Sequence, residues 1–174
     1  AYAIAKELKV KLGIAVSKKL PFPGNPELAV GAVAFGGAVS MDDSFALQHG
    51  IGKDYVKAEI KKLAAEIKRR YAAYGVNFPA VKGKTAVVVD DGMATGHTVL
   101  AAVKAARKGK PKKIVVAVPV SSQQAFELAK AEADEVICID TPEFFMAVGG
   151  FYRSFPQLTD DDVINYLKSA KATA

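Results

Sequence analysis

The sequence predicts an α/β fold built on a parallel sheet, and three observations carry that prediction. Past Pro79, residues 86–89, 114–120 and 136–139 form near-continuous apolar runs, as in strands buried on both faces. Helical stretches at 98–108 and Gln123–Glu132 lie between them. Short strands alternating with helices of that length are the pattern of a parallel α/β sheet. With 174 residues, 51% of them hydrophobic, the chain is expected to form one domain (1–174) with a real core.

The remaining elements follow in chain order. Residues 1–8 read as helical, with no start signal before them. Residues 12–17 read as a short strand ending at the basic pair Lys18-Lys19. LPFPGNPE (20–27) reads as a turn-rich loop, because proline and glycine punctuate it. LAVGAVAFGGAVSM (28–41) reads as two strands joined at Gly36-Gly37, a two-residue hairpin signal. Residues 53–74 carry the longest helical pattern: Val56, Ile60, Leu63, Ile67, Tyr71 and Tyr74 recur every three or four residues as one apolar stripe. On that helix Glu66 and Arg70 stand one turn apart and are expected to pair, Lys68-Arg69-Arg70 reads as its solvated face, and Gly75 ends it. Thr159 followed by Asp160-Asp161-Asp162 opens a last helix, with Thr159 as cap and Asp162 at the box position.

Composition narrows the function. The formal charge of +6 suits an anionic partner, although most of the lysines read as solvated surface. No apolar run approaches the roughly 20 residues of a membrane span, and no signal-peptide pattern opens the chain. The single cysteine, Cys138, makes neither an intrachain disulfide nor a cysteine-type zinc site; it is expected to be buried and inert, and a reducing cytoplasm is the expected setting.

The chemistry concentrates in VVVDDGMATGHTVLAAV, residues 87–103. In a parallel sheet, ligands bind beyond the carboxyl ends of strands. Asp90 and Asp91 stand at such an end, and burying two adjacent carboxylates is unfavourable unless donors or cations meet them. Carboxylates suit a vicinal diol or a hydrated divalent cation. The small residues of Gly92-Met93-Ala94-Thr95-Gly96-His97-Thr98 let a ligand approach the backbone, Thr95 and Thr98 add hydroxyls, and the helix that follows points free N–H groups into the turn. A diol on the acid side and a phosphate on the turn side describe a ribose phosphate. Neither G-x-x-x-x-G-K-[ST] nor a strand followed by G-x-G-x-x-G occurs. A phosphorylated aspartate fits the glycine- and threonine-rich turn poorly.

Residues 86–98 closely resemble the signature of the type I phosphoribosyltransferases, and KKLPFPGNPELAVGAVAFGGAV (18–39) and VGGFYRSF (148–155) extend the resemblance over most of the chain, towards bacterial and archaeal members of unassigned acceptor. The resemblance implies a parallel doubly wound sheet with a hairpin-plus-long-helix insertion at about 21–78 and a small C-terminal hood at about 141–174. It implies a pentosyltransferase of nucleotide metabolism. The donor would be phosphoribosyl pyrophosphate with Mg²⁺, a base-like acceptor would displace pyrophosphate, and an oxocarbenium would develop at the ribose. Asp90 and Asp91 would hold the ribose hydroxyls and, through water, the metal. Gly92, Met93, Ala94, Thr95, Gly96, His97 and Thr98 would cradle the 5′-phosphate, with His97 either reaching it or lying exposed at the helix start. Lys18 or Lys19 would face the pyrophosphate, where a cation stabilises the charge of the leaving group, and Lys19 joins the acid pair as a candidate catalytic residue.

Ala94 stands where the 6-oxopurine enzymes of the family carry an aspartate, which argues against a hypoxanthine- or guanine-type acceptor. By the same resemblance the chain starts inside the family's first helix, near AYAIAKEL (1–8), so the family's first strand and pyrophosphate loop are expected to be missing ahead of residue 1, through truncation of the sequence, through upstream residues outside it or through loss of that half of the site. In the hood, Phe145, Tyr152 and Arg153 are the candidate acceptor pocket: aromatics stack on a planar base and Arg153 could meet an anionic group. The hood aromatics could equally be its own small core. The insertion is expected to cap the site or to make a homodimer face. The alternatives to a transferase are a sensor of phosphoribosyl pyrophosphate that binds nucleic acid and an interaction domain with a vestigial site. No helix-turn-helix or aromatic-and-basic RNA motif supports nucleic acid as the partner.

Overall fold

A computed structural model of the chain describes residues 1–172. The elements run α1 (Tyr2–Glu7), β1 (Ser17–Phe22), β2 (Asn25–Ala34), β3 (Ala38–Met41), α2 (Asp43–Gln48), α3 (Lys53–Ala73), β4 (Thr85–Val89), α4 (His97–Lys108), β5 (Lys113–Val120), α5 (Gln123–Glu132), β6 (Glu135–Asp140) and α6 (Asp160–Ala172). They build two sheets, antiparallel β1-β2-β3 and parallel β4-β5-β6.

The parallel sheet forms where the apolar runs place it. Ile114, Val116 and Val118 turn one way with Ala86, Val88, Val136 and Cys138, and pack against Val99, Leu100, Val103 and Ala106 of α4 and Ala125 and Ala129 of α5. Alternate residues turn the other way, and there Val87, Ile137 and Ile139 stay exposed. Cys138 is half-buried, and its thiol donates to the Asp140 carbonyl at 3.1 Å.

The antiparallel sheet departs from the expected boundaries. Residues 12–16 pair with no strand; β1 begins at Ser17 and runs on through Lys18-Lys19 into the stretch read as a loop. Two properties of β1 permit this. It lies at the sheet edge, and its register with β2 shifts on both sides of Pro21, so a proline costs no ladder bond there. The residues before β1 are held instead by Tyr71, whose hydroxyl accepts from the Val16 N–H at 3.0 Å and donates to the Ile14 carbonyl at 2.9 Å. β2 and β3 join at a short 3-10 turn, Phe35–Gly37, where the glycine pair was expected to turn the chain.

Helix α3 presents Leu63, Ile67 and Tyr71 to one face of this sheet, meeting Leu20, Val30 and Val33. Glu66 does not pair with Arg70: Lys18 of β1 reaches it at 2.8 Å, while Arg70 lies 3.9 Å from Asp160 of α6. A tertiary partner across the helix–sheet interface takes the place of the neighbour one turn away. On the other face, Ala32, Ala34 and Ala38 pack against Ala101 and Ala105 of α4. Helix α4 is therefore shared, with large side chains towards the parallel sheet and alanines towards the antiparallel one.

The last helix opens as the sequence predicts. The Asp162 N–H donates to Thr159 Oγ1 at 3.2 Å, and the Thr159 N–H donates to the Asp162 carboxylate at 2.8 Å. Between β6 and α6 the chain forms only a 3-10 turn at Val148–Phe151, with Phe145 against Phe151 and Tyr152 against Phe155. Residues 173 and 174 of the expected hood lie outside the described residues. No helix among the described residues is long and apolar enough to cross a membrane.

The alanine contact yields a test. Ala101 is fully buried between two elements with no room for a longer side chain. Ala101→Leu is expected to lower stability by about 1–3 kcal/mol through overpacking, read from the denaturant midpoint.

Candidate functional site

Four elements converge at the carboxyl end of the parallel sheet. Strand β4 delivers Asp90 and Asp91, the 92–96 turn leads into α4, the end of β5 lies beside the turn, and the hood leans over it. The turn is fastened to β5. Met93 donates its N–H to the Val120 carbonyl at 3.0 Å, Ser122 donates its N–H to the Met93 carbonyl at 2.9 Å, and Ser122 Oγ donates to the Ala94 carbonyl at 2.6 Å. Met93 itself is buried, and Gly92 sits where a side chain would strike Val120 and Val148 at 2.8–2.9 Å. Sequence reading missed Ser121 and Ser122 as holders of the turn. The serine pair directly before a helix was the available signal, since Ser122 also caps α5 at 3.1 Å.

Helix α4 starts bare. Its N-cap is Gly96 at φ 78°, with no side-chain cap and no acid in the first turn. The glycine is required twice over, by the positive φ and by Ala125, whose Cβ would lie 3.1 Å from an added Cβ. The first backbone bond of the helix is Leu100 N–H to the Gly96 carbonyl. Among the described residues, the N–H groups of Ala94 to Thr98 find no protein acceptor outside that ladder. Thr95 and Thr98 are exposed beside them. By contrast, α2 and α5 carry side-chain caps from Asp42 and Ser122. Unsatisfied N–H groups and the positive end of a 12-residue helix form an anion site.

The acid pair lies beside it. Asp90 is half-buried, and its Oδ1 accepts the Asp91 N–H at 3.0 Å. Burial first, and the Asp91 charge second, push the Asp90 carboxyl up to about 6, against the pull of that N–H. Burial also raises Asp91, while its own N–H and that of Gly92 pull it back. No basic side chain within the described residues forms an ion pair with either acid. Nor does any cluster of three or more His, Cys, Asp and Glu form among them. Two carboxylates without further protein ligands fit Mg²⁺, which keeps several waters and shares substrate phosphates instead of entering an all-protein cage.

His97 neither lies free nor stands alone over the turn. Its Nδ1 is 2.9 Å from Oγ of Ser40, a buried residue of β3, and burial holds the imidazole below its ordinary value, with Asp42 opposing and Lys104 adding to the shift. The two lysines divide. Lys18 faces α3 and is taken by Glu66. Lys19 is exposed and lies on the opposite face, in a cross-strand row with Ala32 and Ser40. That is the α4 face, so of the two only Lys19 stands on the side of the turn. In the hood, Tyr152 donates its hydroxyl to the Asp91 carbonyl at 2.6 Å. Tyr152 and Phe151 form one wall of a cleft of about 270 Å³, completed by Pro119, Val120 and Asp140. Phe145 stands behind Phe151, and Arg153 is exposed and outside the lining.

Comparison with known proteins follows the same residues. The phosphoribosyl transferase domain model matches residues 1–155. Two Mycobacterium tuberculosis proteins, from strains CDC 1551 and H37Rv and each named "Putative phosphoribosyl transferase", are 37% identical over 172 residues. That alignment takes in 98% of this chain but spans only 39% of each relative's length. The crystal structure of TT1426 from Thermus thermophilus superposes with a TM-score of 0.77 at 36% identity, covering 97% of this chain and 80% of the other.

Two outcomes follow from this geometry. Asp90 holds its proton more tightly folded than unfolded, so its contribution favours folding below about pH 4 and is lost as pH rises through about 6. Asp90→Asn is therefore expected to be more stable than the unaltered protein at pH 7, by about 1–3 kcal/mol, with the difference vanishing near pH 4. Denaturant midpoints across that range measure it. Ser40→Ala removes the partner of His97 and is expected to cost about 1 kcal/mol, read from the same titration at pH 7.

Proposed function

Because the chain belongs to the phosphoribosyl transferase domain family, we propose that it transfers phosphoribosyl from phosphoribosyl pyrophosphate to a base-like acceptor, releasing pyrophosphate. The observation that carries the reading is the juxtaposition of two unpaired carboxylates with the bare start of α4. The acids and the helix start are separated by only a few residues of one turn, an order that suits one ligand with hydroxyls at one end and a phosphate at the other.

Each group then has a task. Asp90 and Asp91 accept from the 2′- and 3′-hydroxyls of the ribose. The backbone of Ala94 to Thr98, with the Thr95 and Thr98 hydroxyls, holds the 5′-phosphate. The raised carboxyl of Asp90 gives the site an unmet demand for donors, which the hydroxyls satisfy. As the C1–oxygen bond to pyrophosphate breaks, positive charge develops on the ribose ring, and the neighbouring carboxylates stabilise it. Bound Mg²⁺, carried by the acid pair through water, would neutralise charge on the pyrophosphate. Lys19 supplies a cation on the same side. The acceptor nitrogen takes the place of the pyrophosphate oxygen on C1, and its proton leaves with the released pyrophosphate.

Turnover of phosphoribosyl pyrophosphate and Mg²⁺ against a panel of bases, followed by pyrophosphate release, tests the reaction. Calorimetry with ribose 5-phosphate tests the site separately. Asp90→Asn and Asp91→Asn are each expected to weaken that binding about ten- to a hundredfold, the value of a charge-assisted hydrogen bond. Unchanged binding in both would remove the ribose assignment. Gly96→Ala forces a side chain against Ala125 at a positive φ, and is expected to weaken inorganic phosphate binding by at least about tenfold as the turn shifts.

A further inference from the structure

We propose that Ser122 is the positioning residue of the turn before α4: by holding the carbonyls of Met93 and Ala94 on its own side, it aims the N–H groups of Ala94 and Thr95 together at the phosphate of the ligand. The inference rests on the phosphate placement in the transferase reading and adds the residue that sets its geometry.

Peptide geometry supplies the aim. In a trans peptide the carbonyl of one residue and the N–H of the next point in opposite directions. Among the described residues no peptide bond is cis. Ser122 donates its N–H to the Met93 carbonyl at 2.9 Å and its hydroxyl to the Ala94 carbonyl at 2.6 Å. Two consecutive carbonyls thus lie on the side of Ser122. The N–H groups that follow them, those of Ala94 and Thr95, are turned the other way. Both residues are exposed, and neither N–H has a protein acceptor among the described residues. Successive N–H groups facing one way form a concavity for an anion. The Met93 N–H does not join them, since it donates to the Val120 carbonyl.

Ser122 is itself held. A hydroxyl has one proton and two lone pairs. One lone pair accepts the Ala125 N–H at 3.1 Å, which caps α5, and the proton is left for Ala94. Ala125 also lies against the turn, its Cβ 3.1 Å from where a side chain at Gly96 would begin. The first turn of α5 therefore moulds the turn at two points, and buried Ala125 and Ala129 anchor that helix in the core. Ser121 cannot substitute. It is fully buried, its hydroxyl donates to the Ser122 carbonyl at 2.9 Å, and it meets the turn only as the bridge partner of Met93.

The experiment titrates inorganic phosphate and ribose 5-phosphate into the full chain, with affinity read by calorimetry and the backbone amides of residues 94–98 by NMR. In the unaltered protein the Ala94 and Thr95 amide protons are expected to shift downfield as ligand binds. Ser122→Gly removes the hydroxyl but keeps a tolerated N-cap residue and the N–H that holds Met93. It is expected to weaken phosphate binding about tenfold, the size of one hydrogen bond to a charged group. The Thr95 response should disappear while that of Ala94 persists. Ser122→Thr, which retains the hydroxyl, should restore both. A purely structural role would lower stability without separating the two amides. Silent Ala94 and Thr95 amides in the unaltered protein with ligand bound, an undiminished Thr95 response in Ser122→Gly, or failure of Ser122→Thr to restore it would overturn the proposal and leave the transferase reading standing. Phosphate held by both amides without turnover of phosphoribosyl pyrophosphate would overturn that reading and leave the role of Ser122 intact. Absence of binding by either ligand would overturn both.

Discussion

Helix α4 is the part on which the rest depends. Seven of its twelve residues are buried, because it lies between two sheets that share no strand. Such a helix cannot tilt or slide without disturbing both cores, Val99, Leu100 and Val103 on one side and Ala101 and Ala105 on the other. Its N-terminus is therefore held in space by packing, although nothing caps it. That separation matters physically. A helix start secured by its own cap has its N–H groups occupied; one secured by its body can leave them for a ligand.

The acid pair shows the same division from the other side. Two adjacent carboxylates near an apolar sheet end repel one another and lose hydration, and Asp90 answers by holding its proton up to about pH 6. The protein makes little attempt to relieve this. The donor to Asp90 is the Asp91 N–H, and the hood tyrosine bonds a carbonyl and leaves the carboxylates alone. Unrelieved charge is destabilising to the fold and leaves acceptors open to a ligand that brings donors. Stability and binding are thus set against each other at one residue.

The antiparallel sheet does more than extend the molecule. Ser40 on β3 reaches His97, the first residue of α4, and Lys19 stands in the same cross-strand row. The side chains that alternate along β1 go to different tasks: Lys18 ties the sheet to α3 through Glu66, while Lys19 faces the α4 side. Movement of this sheet would be felt at the turn before α4 through a part-buried hydrogen bond.

The sequence by itself determined the parallel unit and the heart of the site. The apolar runs gave β4, β5 and β6, the helix starting at Lys53 was legible from its apolar period and the helix Gln123–Glu132 from its place between two apolar runs, and Asp90-Asp91 with the turn to Thr98 marked the place of the proposed ribose phosphate site. These features are local: strand burial, helical period, and a turn whose small residues and helix start are consecutive in the chain. Whatever depended on partners far along the chain was decided by tertiary structure. Pro21 became tolerable in a strand because that strand is an edge. Glu66 turned from Arg70 to Lys18 because β1 lies across α3. His97 acquired Ser40, 57 positions away. The cleft beside Tyr152 is lined by Asp140 from the end of β6 and not by Arg153. Sequence spacing specifies which side chains can share a face; which faces meet is set by how two sheets close on one helix, and that is a property of the packed chain.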